Sequence, residues 1–281
     1  TFLALAALLN MEYVNWIGEE IGEDSLDRHL AYKMIDKNKV MSFLKSKGYI
    51  IVNTDSGWEI TRNIPSADLN LCGENQLLNS EFLAATIRNS IVNPLYVKMF
   101  ESGYRERISC IFSEIPDVQL KTDKPVFVFS HIMLPHGPYF WGPNGEHLTP
   151  GKTTLEKGYD RPIEGYNDQL QFTNMKIKET IEKILSSSER QSIIVIQSDT
   201  GPSTNYNMNN VTEKMIKERM SNVNFIYFPN NQDVLYNGMT PVNTFPLIFN
   251  TFFGENFEIL EDKSYFSLDE KPYRFQDVTD F

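Results

Sequence analysis

Two cysteines, Cys72 and Cys110, are all that the 281 residues contain. Neither belongs to a CxxC pair or a Cys/His cluster, which argues against a structural zinc site. The two thiols either form one disulfide or stand buried and reduced, and the sequence does not choose. Basic residues are also scarce: 26 Lys and Arg face 37 Asp and Glu, for a net charge of −11. An acidic surface argues against broad nucleic-acid binding and offers no polybasic patch to anionic lipid. These are averages, and a local cationic pocket is compatible with them. No Gly-rich phosphate loop of either common type appears, which weakens a nucleotide-binding reading. No apolar run is long enough to cross a membrane. The longest candidate, Thr1 to Leu9, covers nine residues, where roughly 20 are needed. It also lacks the charged start and cleavage site of a signal peptide. The chain opens on Thr at an apolar helical run, which reads as a piece of something longer.

What is present is globular. Hydrophobic residues make up 41% and charged residues 22%, a balance that builds a core rather than a disordered chain. The length fits one large α/β domain, and with no repeat or linker in view a single domain over 1–281 is the simplest reading.

The most informative segment is Ser192-Ile-Ile-Val-Ile-Gln-Ser-Asp199-Thr200-Gly201-Pro202. A short β-branched run, Ile193 to Ile196, predicts a buried strand, and Gly201-Pro202 ends it. Asp199 therefore sits at a strand's C-terminal end, the edge where open α/β sheets bind ligands. A carboxylate there is either a metal ligand or the cap of a turn. Thr200 adds a hydroxyl, a poor metal ligand beside imidazole or carboxylate.

A second strand is predicted over 125–131, ending at His131. His136 opens the long loop that follows, and both stand at the same edge as Asp199 if the two strands run parallel. Histidine there binds a metal, donates to an anionic oxygen or moves a proton; the plain alternative is a pair of hydrogen-bonded loop histidines. Tyr139, Phe140 and Trp141 in that loop read as a pocket wall, because Gly137, Pro138, Gly142 and Pro143 hold the loop off the sheet. Thr1 precedes an apolar helix. It is either that helix's N-cap or a nucleophilic hydroxyl at a helix N-terminus, where the dipole favours an anionic group. Asn210-Val-Thr212 fits a glycosylation sequon.

Elsewhere the pattern predicts helices over 1–17, 26–47, 81–101 with a break at Pro94, 166–187 and 240–253. Strands are predicted at 49–52 and 224–228. Residues 53–75 read as a polar, turn-rich loop, 203–210 as a polar stretch, and the tail from Glu261 as polar with aromatics. Strands alternate with helices, which argues for an α/β fold with a mainly parallel central sheet and helices on both faces.

In order along the chain, several segments resemble the sulfatase-like branch of the alkaline phosphatase superfamily. They are most similar to its membrane-anchored members related to lipoteichoic acid synthases and lipid A phosphoethanolamine transferases. Thr1-Phe-Leu-Ala-Leu-Ala-Ala-Leu-Leu-Asn10-Met11-Glu-Tyr13 resembles the nucleophile helix. Phe129-Ser-His131-Ile-Met-Leu-Pro135-His136-Gly-Pro138-Tyr139 resembles the central histidine loop. Tyr166-Asn-Asp-Gln169 resembles the segment before the last metal strand, and Gln197-Ser-Asp199-Thr200-Gly201-Pro202 the Asp-His-Gly metal motif. Glu218-Arg219, Thr240-Pro-Val-Asn-Thr-Phe245 and Asp262-Lys-Ser-Tyr-Phe266 match the C-terminal pattern.

The resemblance implies a three-layer α/β/α sandwich and a divalent metal, Mn²⁺ or Zn²⁺, at the sheet's C-terminal edge. It implies Thr1 as nucleophile, Asp199 and Thr200 at metal positions, and His131 and His136 on the oxygens of the transferred group. The substrates implied are phospholipids or glycans of the cell envelope, with the domain on the extracytoplasmic face and tethered through preceding membrane helices. Three departures stand out: Thr200 replaces the family's His, Pro246 stands where an Arg is usual, and the acidic ligand of the first strand would precede Thr1. Losing an imidazole ligand weakens metal binding. The second reading is therefore a catalytically silent domain that binds an anionic glycan, a lipid headgroup or a protein.

Overall fold

The computed structural model describes residues 1–73, 90, 93–148, 163–187, 190–202, 211–230 and 232–281. In chain order its helices are α1 (Phe2–Asn10), α2 (Trp16–Ile21), α3 (His29–Asp36), α4 (Lys39–Ser46), α5 (Asn93–Asp117), α6 (Ile163–Ser187), α7 (Glu213–Met220) and α8 (Thr244–Phe253). Its strands are β1 (Ile50–Thr54), β2 (Leu69–Leu71), β3 (Val126–Ser130), β4 (Ile194–Gln197), β5 (Asn224–Tyr227), β6 (Tyr265–Leu268) and β7 (Lys271–Asp277). The chain divides into two compact units, 1–46 with 191–281, and 47–190.

The first unit is built on α1. Its sequence is apolar on nearly every side, the mark of a helix buried all round, and Leu5, Ala6 and Leu9 are buried. The helix stops earlier than the pattern suggests. Met11 adopts a left-handed conformation and its N–H returns to Leu8 O, which ends the helix as a C-cap does. The expected helix over 26–47 is likewise two. Buried Asn38 separates them: its amide donates to Ile35 O at 2.7 Å, and its Oδ1 accepts from Met41 N at 2.7 Å. A side chain that satisfies both helix ends competes with a continuous backbone ladder. Phe43 closes the core against Phe249, Phe253 and Phe257, with ring centroids 4.1, 5.4 and 5.7 Å away.

β4 pairs antiparallel with β5, from Ile194 opposite Tyr227 to Gln197 opposite Asn224. In the polar, aromatic-bearing tail, β6 and β7 form an antiparallel hairpin. Asp262 ties the start of α8 to this tail. It accepts from Thr240 N and Thr240 Oγ1, both at 2.7 Å, from Tyr236 Oη at 2.9 Å and from Asn243 Nδ2 at 2.9 Å.

The second unit holds a parallel sheet in the order β2-β1-β3. Thr54 faces Ser130 in register, so β1 and β3 end side by side. β2 and a short 3-10 turn over Glu59–Arg62 lie within the stretch expected to be an irregular connection. The core gathers Tyr104, Ile108, Ile111 and Phe112 of α5 with Leu134, Phe140, Trp141 and Phe172. Cys72 and Cys110 form a disulfide with Cα atoms 5.6 Å apart, pinning the end of β2 to α5. Of the helix expected over 81–101, residues 81–89 and 91–92 lie outside the described residues; the described part continues past Glu101 to Asp117. The stretch 203–210 and Asn210 of the sequon also lie outside them.

Strand direction corrects the sequence reading in part. β1, β2 and β3 run parallel, as the helix–strand alternation predicts. Among the described residues β4 is hydrogen-bonded to β5 alone, and antiparallel to it.

Candidate functional site

In the first unit, the segment after β4 is fixed by backbone bonds. Ser198 N donates to Val223 O at 3.0 Å, and Val223 N returns to Ser198 Oγ at 2.7 Å. Gly201 N donates to Arg219 O at 2.7 Å, while Arg219 Nη1 donates to Gly201 O at 2.9 Å. A Cβ on residue 201 would stand 2.1 Å from Glu218 O, so only glycine fits this approach. Asp199 and Thr200 lie between these two anchors. Two residues before Asp199, Gln197 donates to Asn224 Oδ1 at 2.9 Å and to Thr244 Oγ1 at 2.7 Å.

The carboxylate meets Thr1. The Thr1 hydroxyl donates to Asp199 Oδ2 across 198 residues of sequence. Thr1 occupies the N-cap position of α1, yet its side chain makes no capping bond. The helix has no acidic residue in its first turn, so Asp199 supplies the negative charge that a helix N-terminus favours. The two side chains are 28% and 26% exposed, which leaves the pair open to a ligand. The Thr1 side chain therefore does not cap α1.

In the second unit, His131 follows β3 directly. Its Nδ1 lies 2.8 Å from Thr61 Oγ1, and its ring meets Trp58 edge to face at 5.5 Å. Thr61 is fully buried and is itself 2.7 Å from Ser56 Oγ. Beside this chain the turn after β1 carries positive charge. Arg62 Nη2 donates to Gly57 O at 2.9 Å, and its buried Nε has no acceptor among the described residues. The Arg107 guanidinium packs against Gly57, where a Cβ would stand 2.4 Å from Arg107 Cζ and where φ is +73°. The buried Asp55 carboxylate lies in the same turn, its Oδ1 accepting from Gly57 N at 2.5 Å, so the guanidiniums stand beside a negative charge. Sequence reasoning gave Trp58, Thr61, Arg62 and Arg107 no role. The available signal was the strand over 49–52, whose C-terminal end obeys the same edge rule as the end of β3.

His136 is exposed, in the loop five residues beyond His131. Its N–H donates to Met133 O at 2.9 Å, and its ring Nδ1 lies 2.5 Å from Gly137 O. A carbonyl only accepts, so Nδ1 is the donor in this bond. The pocket-wall reading of the next three residues is overturned. Tyr139, Phe140 and Trp141 are 2%, 0% and 4% exposed. Trp141 stacks on Phe172 at 5.1 Å, and Arg105 lies over both Phe140 and Trp141 at 5.3 Å. The prolines and glycines turn these rings into the core rather than away from it.

Thr1 and Asp199 are thus brought together in the first unit, with Thr200 next in sequence, while His131 and His136 belong to the second. A carboxylate with a hydroxyl against it suits part of the shell of an oxygen-preferring divalent ion. Among the described residues no group of three or more His, Cys, Asp or Glu is placed to hold one.

The elements define an α/β protein whose polar side chains gather where strands end. Comparison with known families names it: the sulfatase family model matches residues 15–247, and the chain belongs to the sulfatase family. This implies an alkaline phosphatase-like α/β fold and places the chain among hydrolases and transferases of sulfate or phosphate esters, whose members typically use a divalent metal. The match includes His131, His136, Asp199 and Thr200 and begins after Thr1. No curated protein and no solved structure matches the chain.

Proposed function

We propose that this protein is a metal-dependent hydrolase or transferase of phosphate esters, or of sulfate esters, on lipids or glycans of the cell envelope, with Thr1 as nucleophile. The observation that carries the reading is the Thr1 hydroxyl donating to Asp199 instead of capping α1. A free hydroxyl is a weak nucleophile and needs an acceptor for its proton. Asp199 holds that proton and fixes the oxygen's direction. Thr1 Oγ1 then forms a bond to phosphorus, the bond from phosphorus to the alcohol oxygen breaks, and the alcohol leaves with a proton. Water or a second alcohol reverses the step and frees Thr1. A divalent ion, Mn²⁺ or Zn²⁺, held by Asp199 with Thr200 beside it, would supply Lewis acidity and lower the hydroxyl's pKa. By the family resemblance His131, whose Nδ1 meets Thr61, and His136 would donate ring N–H groups to the oxygens of the transferred group, His136 from Nε2 when both its ring nitrogens carry protons.

The reading extends to a three-layer α/β/α sandwich with a mainly parallel sheet as one sulfatase-like domain, and to the extracytoplasmic membrane face. The Cys72–Cys110 disulfide supports that location, because disulfides persist in oxidising compartments.

The test is turnover of bis(p-nitrophenyl) phosphate and p-nitrophenyl sulfate with Mn²⁺ or Zn²⁺. Thr1→Ala and Asp199→Ala should each lower it by about 10³-fold or more with the fold intact. Turnover that survives both changes removes Thr1 as nucleophile. Thr200 favours a second reading, a silent domain that binds an anionic headgroup. That reading predicts no metal-dependent turnover in the native chain, and Mn²⁺ or Zn²⁺ binding only in Thr200→His.

A further inference from the structure

The loop from Pro135 to Phe140 has an accounting problem that one side chain solves. Pro135 and Pro138 have no N–H, so the loop cannot pair its own carbonyls in a ladder. Buried carbonyls need donors from somewhere. Gln169 of α6 is fully buried and supplies them. Its Nε2 donates to His136 O at 2.9 Å and lies within reach of Pro135 O at 3.3 Å and Pro138 O at 3.4 Å. Its Oε1 accepts from Phe140 N at 2.9 Å. The amide's orientation is set by chemistry: a backbone N–H only donates and carbonyls only accept. α6 is braced at this point, where Thr173 Oγ1 donates to Gln169 O at 2.6 Å. One side chain therefore spans the loop on both sides of His136, and beyond it Phe140 and Trp141 are locked in the core.

We propose that Gln169 is the positioning residue of His136: it fixes the backbone of 135–140 so that the His136 ring keeps Nδ1–H on Gly137 O and aims Nε2, a donor once the ring is protonated, at an oxygen of the transferred group. The inference rests on the reading that His136 binds that group. Only its catalytic consequence depends on that reading. The ring's state does not.

The experiment has two arms. The first is the long-range ¹H–¹⁵N correlation spectrum of the imidazoles in the full chain, with His136 assigned through His136→Ala. Native His136, once neutral, should be a single Nδ1–H tautomer. Gln169→Glu keeps the size but sets a carboxylate against three carbonyls; it should leave His136 a mixture of tautomers. A native ring that already samples both tautomers overturns the proposal, and this needs no variant to fold. An unchanged tautomer in folded Gln169→Glu overturns it as well.

The second arm is turnover of bis(p-nitrophenyl) phosphate with Mn²⁺. Gln169→Glu should lower it by about 100-fold, the scale of a misplaced contact group, and should lower it no further once His136 is Ala. A residue that only stabilises the fold would lower turnover equally in both backgrounds. If His136→Ala alone leaves turnover intact, the role of His136 fails, and the tautomer arm still decides the role of Gln169.

Discussion

The segment after β4 and the loop after β3 solve the same problem by opposite means. Each leaves a strand end and must present a polar group in a fixed direction. The Asp199 turn is held by main-chain bonds at Ser198 and Gly201, reinforced by the Ser198, Arg219 and Asn222 side chains. The His136 loop is prevented from doing this by its prolines and is held by the Gln169 amide and by aromatic side chains. The first turn is vulnerable to a new Cβ at its tightest point, Gly201. A loop fixed by side chains is vulnerable at each anchor.

The comparison breaks most sharply at the aromatic anchor. Trp141→Ala removes a buried ring stacked on Phe172 and should destabilise the second unit by about 3–5 kcal/mol, read as a lower urea midpoint. Reducing the Cys72–Cys110 disulfide should cost about 2–4 kcal/mol, seen in a melt with and without reductant. Amide exchange should place the loss in residues 47–190, leaving 1–46 and 191–281 protected. On the backbone-held side, Gly201→Ala drives a Cβ toward Glu218 O and should cost about 1–3 kcal/mol, typical of overpacking. Thr200→Ala, one residue away, should leave the melting temperature nearly unchanged.

The smallest effect is acid sensitivity in the first unit. Burial raises the Asp262 pKa, but hydrogen bonds from the Thr240 backbone and hydroxyl, Tyr236 and Asn243 outweigh it, and the net shift is below the ordinary 3.8. A folded pKa lowered in this way contributes stability that is present above the unfolded value and lost as pH falls through the folded one. Stability measured by urea should therefore decline as pH drops below about 4, and Asp262→Asn should flatten that decline.

Much of this was legible in the sequence, for physical reasons. Short apolar, β-branched-rich runs at 50–52, 126–128 and 194–196 read as strands, and all three are strands, although only the first is deeply buried. Helices α6 and α8 read true because their apolar periodicity is long. Asn38 was missed because a polar residue that caps two helices at once looks, in one dimension, like a polar position on one helix. The β6–β7 hairpin was missed because its strands mix charged residues with aromatics, as solvent-facing pairs do. Thr1, Asp199, His131 and His136 were legible as candidates, and the contact between the first two was not: it joins residues 198 apart, and only the fold brings them together. The rings at 139–141 were misread because proline and glycine show that a loop turns without showing which way. Gln169 carried no local signal, since its four partners are main-chain atoms some 30 residues upstream.

The account stands or falls on the Thr1–Asp199 pair. The measurement that tests it most directly is mass spectrometry of the Thr1 peptide after incubating the full chain with Mn²⁺ and bis(p-nitrophenyl) phosphate. The account predicts a p-nitrophenyl phosphoryl adduct on Thr1 in the native chain that is lost in Asp199→Ala. Turnover without that adduct, in a chain where Thr1→Ala is equally active, would contradict it.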